Sequence, residues 1–295
     1  MVSDSVVTIV LTTGQRPLEV RSLLLSVAGQ TVCNARVLLV ANGCEPKLLG
    51  DLDADFDQSG LELRIVVLSE NVGIPAGRNF GMRTVEAAVM VFLDDDAQLL
   101  DDGCLEELRE LFDKEPALAA VALHLVDEDG HTVPRHIPRL RKSAVDESGW
   151  VASFPGGAVA IRREAMQSVG GYADDFFYGM EETDLAVRLI DAGWKIWYAA
   201  DLLVFHPRTE PSRHPDAYWR LARNRVWLAH RNFPLPVALV YLTLRALLTI
   251  ARQPSLARSQ WSGYRDGWRT RIGPRRAISW RTVWRLTRLG RPPIL

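Results

Sequence analysis

Apolar and polar positions over the first hundred residues fall into two alternating kinds of segment. Val6 to Leu11 is a short apolar run suited to a buried strand, and Pro17 to Ala28 repeats its apolar residues at helical spacing. Val37 to Val40 and Leu63 to Leu68 predict two further strands. Pro75 suits the first turn of a helix running to Ala88, and Val89 to Leu93 follows as the next strand. This order predicts an α/β fold with a mainly parallel sheet. Ligands in such sheets bind beyond the carboxyl ends of the strands. Thr12-Thr13-Gly14, Ala41-Asn42-Gly43, Asn71-Val72-Gly73 and Asp94 to Asp96 all fall there.

The later pattern changes character. Phe154 to Ile161 is a glycine-hinged approach to a strand, Val169-Gly-Gly-Tyr172 a turn, and the residues after Gly179 regain helical periodicity. A strand over Asp201 to Phe205 ends at His206-Pro207, and Tyr218 to Arg231 predicts a polar-faced helix. Leu235 to Ala251 is apolar except for Arg245; 17 residues with an internal charge suit a helix lying on the core or in an interface better than a membrane span. Ala257, Trp261, Tyr264 and Trp268 then recur on one helical stripe flanked by Arg265, Arg269 and Arg271. Trp280 and Trp284 follow among Arg281, Arg285 and Arg288. The expected organisation is a domain over 1–233 in two halves (1–100 and 101–233), and a basic, Trp-rich helical region over 234–295.

Charge sharpens that division. The net charge of −1 hides eleven Arg and one acidic residue, Asp266, between Arg252 and Leu295, so this tail carries +10 and the rest −11. Cys33, Cys44 and Cys104 are odd in number and lack metal-ligand spacing, which fits reduced thiols in a cytoplasmic protein. A strand pattern that begins by Val6 leaves no room for a signal peptide.

The candidate chemistry starts at Asp94-Asp95-Asp96. Adjacent carboxylates repel and hydrate strongly, so a fold that sets them at the rim of its sheet has use for a cation. Oxygen ligands of this kind suit Mg²⁺ or Mn²⁺. Arg78 and Asn79 lie in the first turn of the Pro75 helix, where free N–H groups and a fixed cation favour phosphate; the alternative is that Arg78 pairs with a local carboxylate and Asn79 caps a turn. A nucleoside diphosphate is the economical ligand for both features. Asp184 and Arg188 are four apart and predict an ion pair. Glu181 and Glu182 then sit at the start of their helix, either complementing its dipole or supplying a general base.

In this order the motifs resemble the family 2 glycosyltransferases of the GT-A fold, over residues 5 to 235. Thr12-Thr13-Gly14-Gln15-Arg16-Pro17 stands where that family has a Thr-Tyr-Asn-Arg-Pro type loop. Leu39-Val40-Ala41-Asn42-Gly43 is similar to its Asp-Asn-Gly loop, and Asn71 to Gly81 to its Asn-X-Gly…Ala-Arg-Asn-X-Gly element. Asp94 to Asp96 is similar to its Asp-X-Asp, and Gly170-Gly171-Tyr172 through Arg188 to its Gly-Gly-Phe…Glu-Asp…Arg element. The resemblance implies a Rossmann-like mixed sheet flanked by helices, and metal-dependent inverting transfer of a sugar from a nucleotide-sugar donor to an acceptor hydroxyl. It implies Asp96, Asp94 and His206 as metal ligands, and Thr12, Asn42, Asn71, Arg78, Asp94 and Asp95 as donor contacts. Glu182 falls where the family carries its base, with Glu181 and Asp184 as rivals. Ala41 and Thr13 depart from the family's acidic and aromatic residues near the nucleoside, so UDP-, dTDP- and GDP-sugars all stay open.

Two rival classes share parts of this pattern. A sugar-phosphate nucleotidyltransferase would carry a glycine-rich first loop with Arg and a following Lys, of which Thr13-Gly14-Gln15-Arg16 is a partial echo. A non-catalytic sugar-nucleotide-binding scaffold would keep the fold without a working base. For residues 235–295, Trp and Arg on amphipathic helices suit the inner, anionic face of a membrane, while the competing reading packs the stripe onto the protein's own acidic surface. Without a recognisable module, nucleic acid is not an expected partner.

Overall fold

A computed structural model describes residues 6–32, 35–49, 52–57, 59–138, 145–208, 216–252, 254–270 and 272–294. Cys33 and Arg271, named above, lie outside the described residues. The first half runs β1 (Val6–Thr12), α1 (Pro17–Ala28), β2 (Arg36–Asn42), α2 (Leu52–Phe56), β3 (Glu62–Leu68), α3 (Ile74–Thr84) and β4 (Val89–Asp94). Then come β5 (Gln98–Leu99), α4 (Cys104–Lys114), β6 (Leu118–Val126), β7 (Gly149–Val151), β8 (Ala158–Arg162), α5 (Arg163–Ser168), α6 (Glu181–Asp191) and β9 (Lys195–Phe205). The chain closes with α7 (Ala217–Asn232), α8 (Leu235–Arg252), α9 (Ala257–Arg269) and α10 (Trp280–Arg288).

The described strands form one sheet in the order β3-β2-β1-β4-β8-β6-β9-β5, with β7 on β9. β1 to β4 are mutually parallel; the apolar runs of β1, β2 and β4 are those of strands covered on both faces, while β3 forms the partly exposed edge. β8 then runs antiparallel to both β4 and β6, which makes the sheet mixed. This reversal positions the site. It delivers the start of β8 to the rim where β4 ends, and the Asp94 N–H donates to the Gly157 carbonyl at 3.0 Å. β6 and β9, parallel to each other, also end there, and the His206 N–H donates to the Val126 carbonyl at 2.8 Å.

Core packing follows from the pattern. Val7, Ile9, Leu38, Val40, Met90 and Phe92 face one layer, while Val10, Val37, Leu39, Val91 and Leu93 face the other. Alternate residues of each strand thus serve opposite layers. Helix α3 stops at Thr84, short of the expected Ala88. Val85 is extended, and the Arg163 guanidinium takes the carbonyls of Met82, Val85 and Ala87, so a side chain satisfies acceptors that further helix would have satisfied.

Beyond the sheet, α7 is the hub of the C-terminal helices. Gly263 and Gly267 of α9 lie against it so closely that a Cβ at 267 would stand 2.8 Å from the Arg223 carbonyl oxygen. The expected single stripe on α9 is divided: Tyr264 is buried with Ala222 and Val226, whereas Trp261 and Trp268 are exposed. Placing the two glycines and Tyr264 against α7 turns the indoles away from it. Among the described residues, the arginines of 252–294 form one ion pair, Arg265 with Asp266 at 3.7 Å, and none with the acidic surface of the rest of the chain.

Candidate active site

The rim of the sheet gathers most of the residues singled out above. Asp94 and Asp96 converge on His206, whose Nε2 is 3.5 Å from a carboxylate oxygen of each. The His206 Nδ1 faces the Pro207 carbonyl at 3.0 Å, which orients Nε2 toward the acids. Burial opposes a charge on His206, but Asp94 and Asp96 outweigh it and raise the imidazole above its ordinary value. Two carboxylates and one imidazole suit a hard divalent cation. Gly157 leaves the room: a Cβ there would stand 3.1 Å from both Asp94 Oδ2 and His206 Cδ2. Asp127, Asp129 and His131 form a second group with metal-ligand spacing, but Asp127 is already paired with Arg208 and bonded to two N–H groups of its own turn.

Asp95 turns away from this group. Its carboxylate accepts from the Thr12 hydroxyl at 2.8 Å and pairs with Arg16, and burial pushes it up to about 6 against the pull of both. Arg16 also pairs with Asp96. In the sequence Arg16 is only one member of a loop; pairings across 79 and 80 residues are invisible until β1 and β4 lie side by side. His136, likewise unforeseen, sets its ring edge-on to His206 with centroids 5.4 Å apart. Burial, with His206 and Arg135, pushes it down to about 4.

Asn42 and Asn71 build a loop together. The Asn42 side chain donates to Asn71 Oδ1 at 3.1 Å and accepts from the Val72 N–H at 2.9 Å, while Asn71 Oδ1 accepts from the Gly73 N–H at 2.9 Å. Gly73, at φ 83°, is where that loop meets the next: the Phe177 carbonyl accepts from the Ile74 N–H at 2.8 Å, and a Cβ at 73 would stand 2.7 Å from the same oxygen.

Arg78 pairs with a carboxylate, one of its two expected settings, and lies 3% exposed between the metal-type group and the glutamates. Its Nη2 donates to Asp94 Oδ1 at 3.0 Å and to the Gly156 carbonyl at 2.7 Å, while Nη1 is buried without an acceptor. Desolvation works against the guanidinium charge, but Tyr172, Asp94, Glu182 and Glu181 outweigh it and hold Arg78 protonated.

Glu181 and Glu182 open α6. Burial, then the neighbouring Glu182, raises Glu181 well above the usual carboxylate range; burial also raises Glu182, against the pull of Arg78. Burial and the neighbouring carboxylate hold Glu181 protonated, while Arg78 draws Glu182 back toward its charged form, so Glu182 is the member of the pair that gives up its proton first. Glu182 borders Gly156, whose missing side chain leaves its Oε1 room. Asp184 is not available as a base. It is fully buried and accepts from Arg188, from Arg231 at 3.0 Å and from Asn232 at 2.6 Å, which ties α6 to α7. The expected Asp184–Arg188 pair is present at 2.6 Å.

Two asparagines hold the frame. Asn79 brackets Tyr172, donating to its carbonyl at 2.8 Å and accepting from its N–H at 2.9 Å. Asn224, fully buried on α7, donates to the carbonyls of Phe176, Tyr178 and Gly179 at 3.0, 2.9 and 2.7 Å. It thereby fixes the segment before Glu181, where Phe177 and Met180 adopt positive φ of 62° and 74°.

Solved structures share this architecture. GalNAc-T7 with UDP, GalNAc and Mn²⁺ superposes with a TM-score of 0.65 at 15% identity, over 90% of this chain and 56% of that one. A mannosyltransferase from Pyrobaculum calidifontis in complex with GDP-Man and Mn²⁺ gives 0.60 at 17% identity, over 91% and 76%. The mixed sheet flanked by helices is thus a GT-A fold. The pattern of glycosyl transferase family 2 matches residues 8–170, and the chain belongs to that family. Residues 139–203 also match the family described as N-terminal domain of galactosyltransferase. Among curated relatives, the pre-mycofactocin glycosyltransferase of Mycobacterium tuberculosis is 28% identical over 68% of this chain and 42% of its own length. The O-antigen chain rhamnosyltransferase RfbN of Salmonella typhimurium is 27% identical over 45% and 47%. The chain therefore spans less than half the length of these relatives.

Proposed function

We propose that this protein transfers a sugar, with inversion, from a nucleotide-sugar donor to an acceptor hydroxyl, with Glu182 as the general base. The observation that carries the proposal is the Gly156–Gly157 step. One glycine borders Glu182 and Arg78, and the next borders Asp94 and His206, so a base and a cation site face each other across two residues without side chains. Asp94, Asp96 and His206 are the residues that would hold Mg²⁺ or Mn²⁺, and such an ion, when bound, supplies Lewis-acid neutralisation of a diphosphate.

The chain's own groups divide the remaining work. Glu182 accepts the proton of the acceptor hydroxyl as that oxygen bonds to the anomeric carbon, and the bond from that carbon to the diphosphate oxygen breaks with its electron pair leaving on the nucleoside diphosphate. Glu181 holds its proton and so adds no second charge beside Glu182, while burial keeps Glu182 more basic than an ordinary glutamate. Arg78 stays charged and keeps Asp94 and the base in register, and Arg16, 27% exposed at the rim, is the cation that can exchange a carboxylate for a phosphate oxygen. Thr12, Asn42 and Asn71 shape the loops against which the nucleoside would lie. The sugar transferred and the acceptor that takes it are set by groups beyond this frame.

Thermal stabilisation with a panel of UDP-, dTDP- and GDP-sugars in Mn²⁺ would identify the donor, since a bound ligand raises apparent stability by mass action. That donor, given a hydroxyl acceptor, should release nucleoside diphosphate. Asp96→Ala or a chelator should remove the release, and Glu182→Gln should remove it while keeping the donor's stabilising effect. Pyrophosphate formation, or donor binding with no release on any acceptor, would overturn the proposal.

A further inference from the structure

Helices α8, α9 and α10 turn large apolar side chains outward. On α8, Val237, Ala238 and Tyr241 pack inward, while Leu235, Leu239, Leu247 and Ile250 are exposed, Leu235 at 72%. On α9, Gln260, Gly263, Tyr264 and Gly267 face α7, and Trp261 points out at 71% exposure. Its neighbours on that face, at spacings of three and four, are the exposed Arg258 and Arg265. On α10, Thr282 and Leu286 are buried, and Trp280 and Trp284 are exposed between Arg281 and Arg288. Single exposed apolar residues are ordinary on a protein surface, but indoles repeated beside arginines on successive helices are not.

Charge selects the occupant. Helices α8, α9 and α10 expose Arg252, Arg258, Arg265, Arg269, Arg281 and Arg288, and Asp266 is the one acidic residue in their sequence. Asp266 is engaged by the Trp219 indole N–H at 3.0 Å, beside Arg265. We propose that the outward faces of α8, α9 and α10 form a peripheral docking surface for an anionic lipid bilayer. Indoles settle at headgroup depth, aliphatic side chains reach the acyl boundary, and guanidinium groups meet the acidic headgroups. Helix α8 is long and apolar enough by length and composition to cross a bilayer. Its inner face is instead held to the protein, with Tyr241 edge-on to Phe233 at 5.4 Å and Arg245 over the Tyr241 ring at 5.5 Å. The helix therefore lies along the surface and does not insert as a span.

Co-sedimentation of the full chain with sucrose-loaded vesicles tests this. Vesicles of phosphatidylcholine with phosphatidylglycerol should retain the protein about tenfold better than phosphatidylcholine alone, with raised salt reversing the difference. Bound protein should show a blue-shifted Trp emission. The combined W261S, W280S and W284S variant should lose the retention and the shift with a Tm close to the parent's, because each of the three side chains is more than half exposed. Equal recovery on both vesicles, unaltered retention of the triple variant, or retention that survives high salt and carbonate extraction would overturn the proposal. So would a failure to bind either vesicle while the parent, but not the variant, self-associates or retains RNA.

Discussion

Arg78 and Asp94 form an ion pair at 3.0 Å in which the guanidinium is only 3% exposed. Removing the cation would leave Asp94, the Gly156 carbonyl and the Glu181–Glu182 pair facing one another without compensation. Arg78→Ala should therefore cost about 3 kcal/mol, the lower end of the range for a broken buried pair because Asp94 is partly solvated. Urea denaturation measures this directly. Arg78→Lys should recover part of the stability but not the geometry, since an ammonium keeps the charge but lacks the planar guanidinium that sets Nη2 between Asp94 and the Gly156 carbonyl.

The two glycines at the start of β8 separate two properties. A Cβ at 157 would press on Asp94 and His206, so Gly157→Ala should weaken the stabilisation by Mn²⁺ in a thermal titration. At 156 a Cβ would collide with the Glu182 carboxylate, and Gly156→Ala should lower turnover while leaving the response to Mn²⁺ near that of the parent.

Glu182 works only when deprotonated, and burial raises its pKa above the ordinary glutamate range. Turnover should therefore climb with pH through an inflection above that range and then level off. Glu182→Gln should lose about 10²- to 10⁴-fold and flatten the profile.

Glu181 produces the opposite trend in stability. It keeps its proton in the folded protein at pH values where the unfolded chain has lost it. Its contribution is thus fully present below the unfolded pKa and declines as pH rises toward the folded one. Glu181→Gln keeps the neutral shape without the titration, so its Tm should exceed the parent's by more at pH 8 than at pH 5. Each tenfold difference in proton affinity between the folded and unfolded chain is worth about 1.4 kcal/mol, so thermal scans at the two pH values resolve the effect.

Asn224 donates to three carbonyls from a position with no solvent. Asn224→Ala should cost about 1–3 kcal/mol through those stranded acceptors. Because they belong to the segment that places Glu181 and Glu182, kcat should fall further than the donor's KM rises.

Much of this was legible in the chain. The strands that end at Thr12, Asn42 and Leu68, and the start of α6, follow from period and turn chemistry, and Asp94, Asp96 and His206 do meet. Cys104–Lys114 and Leu118–Val126 appear only in the structure; every residue of the latter is buried, and a strand covered on both faces carries no alternation to reveal it. Helical spacing gives Asp184 its Arg188 and leaves it a rival base, but spacing says nothing of Arg231 and Asn232 on another helix. Arg16, His136 and Asn224 owe their roles to neighbours tens of residues away; the first loop's motif contains Arg16 without its partners, and no local pattern marks the other two. Trp261 and Tyr264 fall on one stripe in the sequence, yet the glycine seam with α7 rotates Tyr264 into the core and leaves Trp261 in water.

That seam ties surface to chemistry. Gly263 and Gly267 hold α9 against the same helix whose Asn224 grips the segment ahead of Glu181. Only the small side chains of Ala222 and Val226 share that join with the backbone, so one helix fixes both the outward indole of Trp261 and the segment ahead of Glu181, and the separation between them is built into the fold.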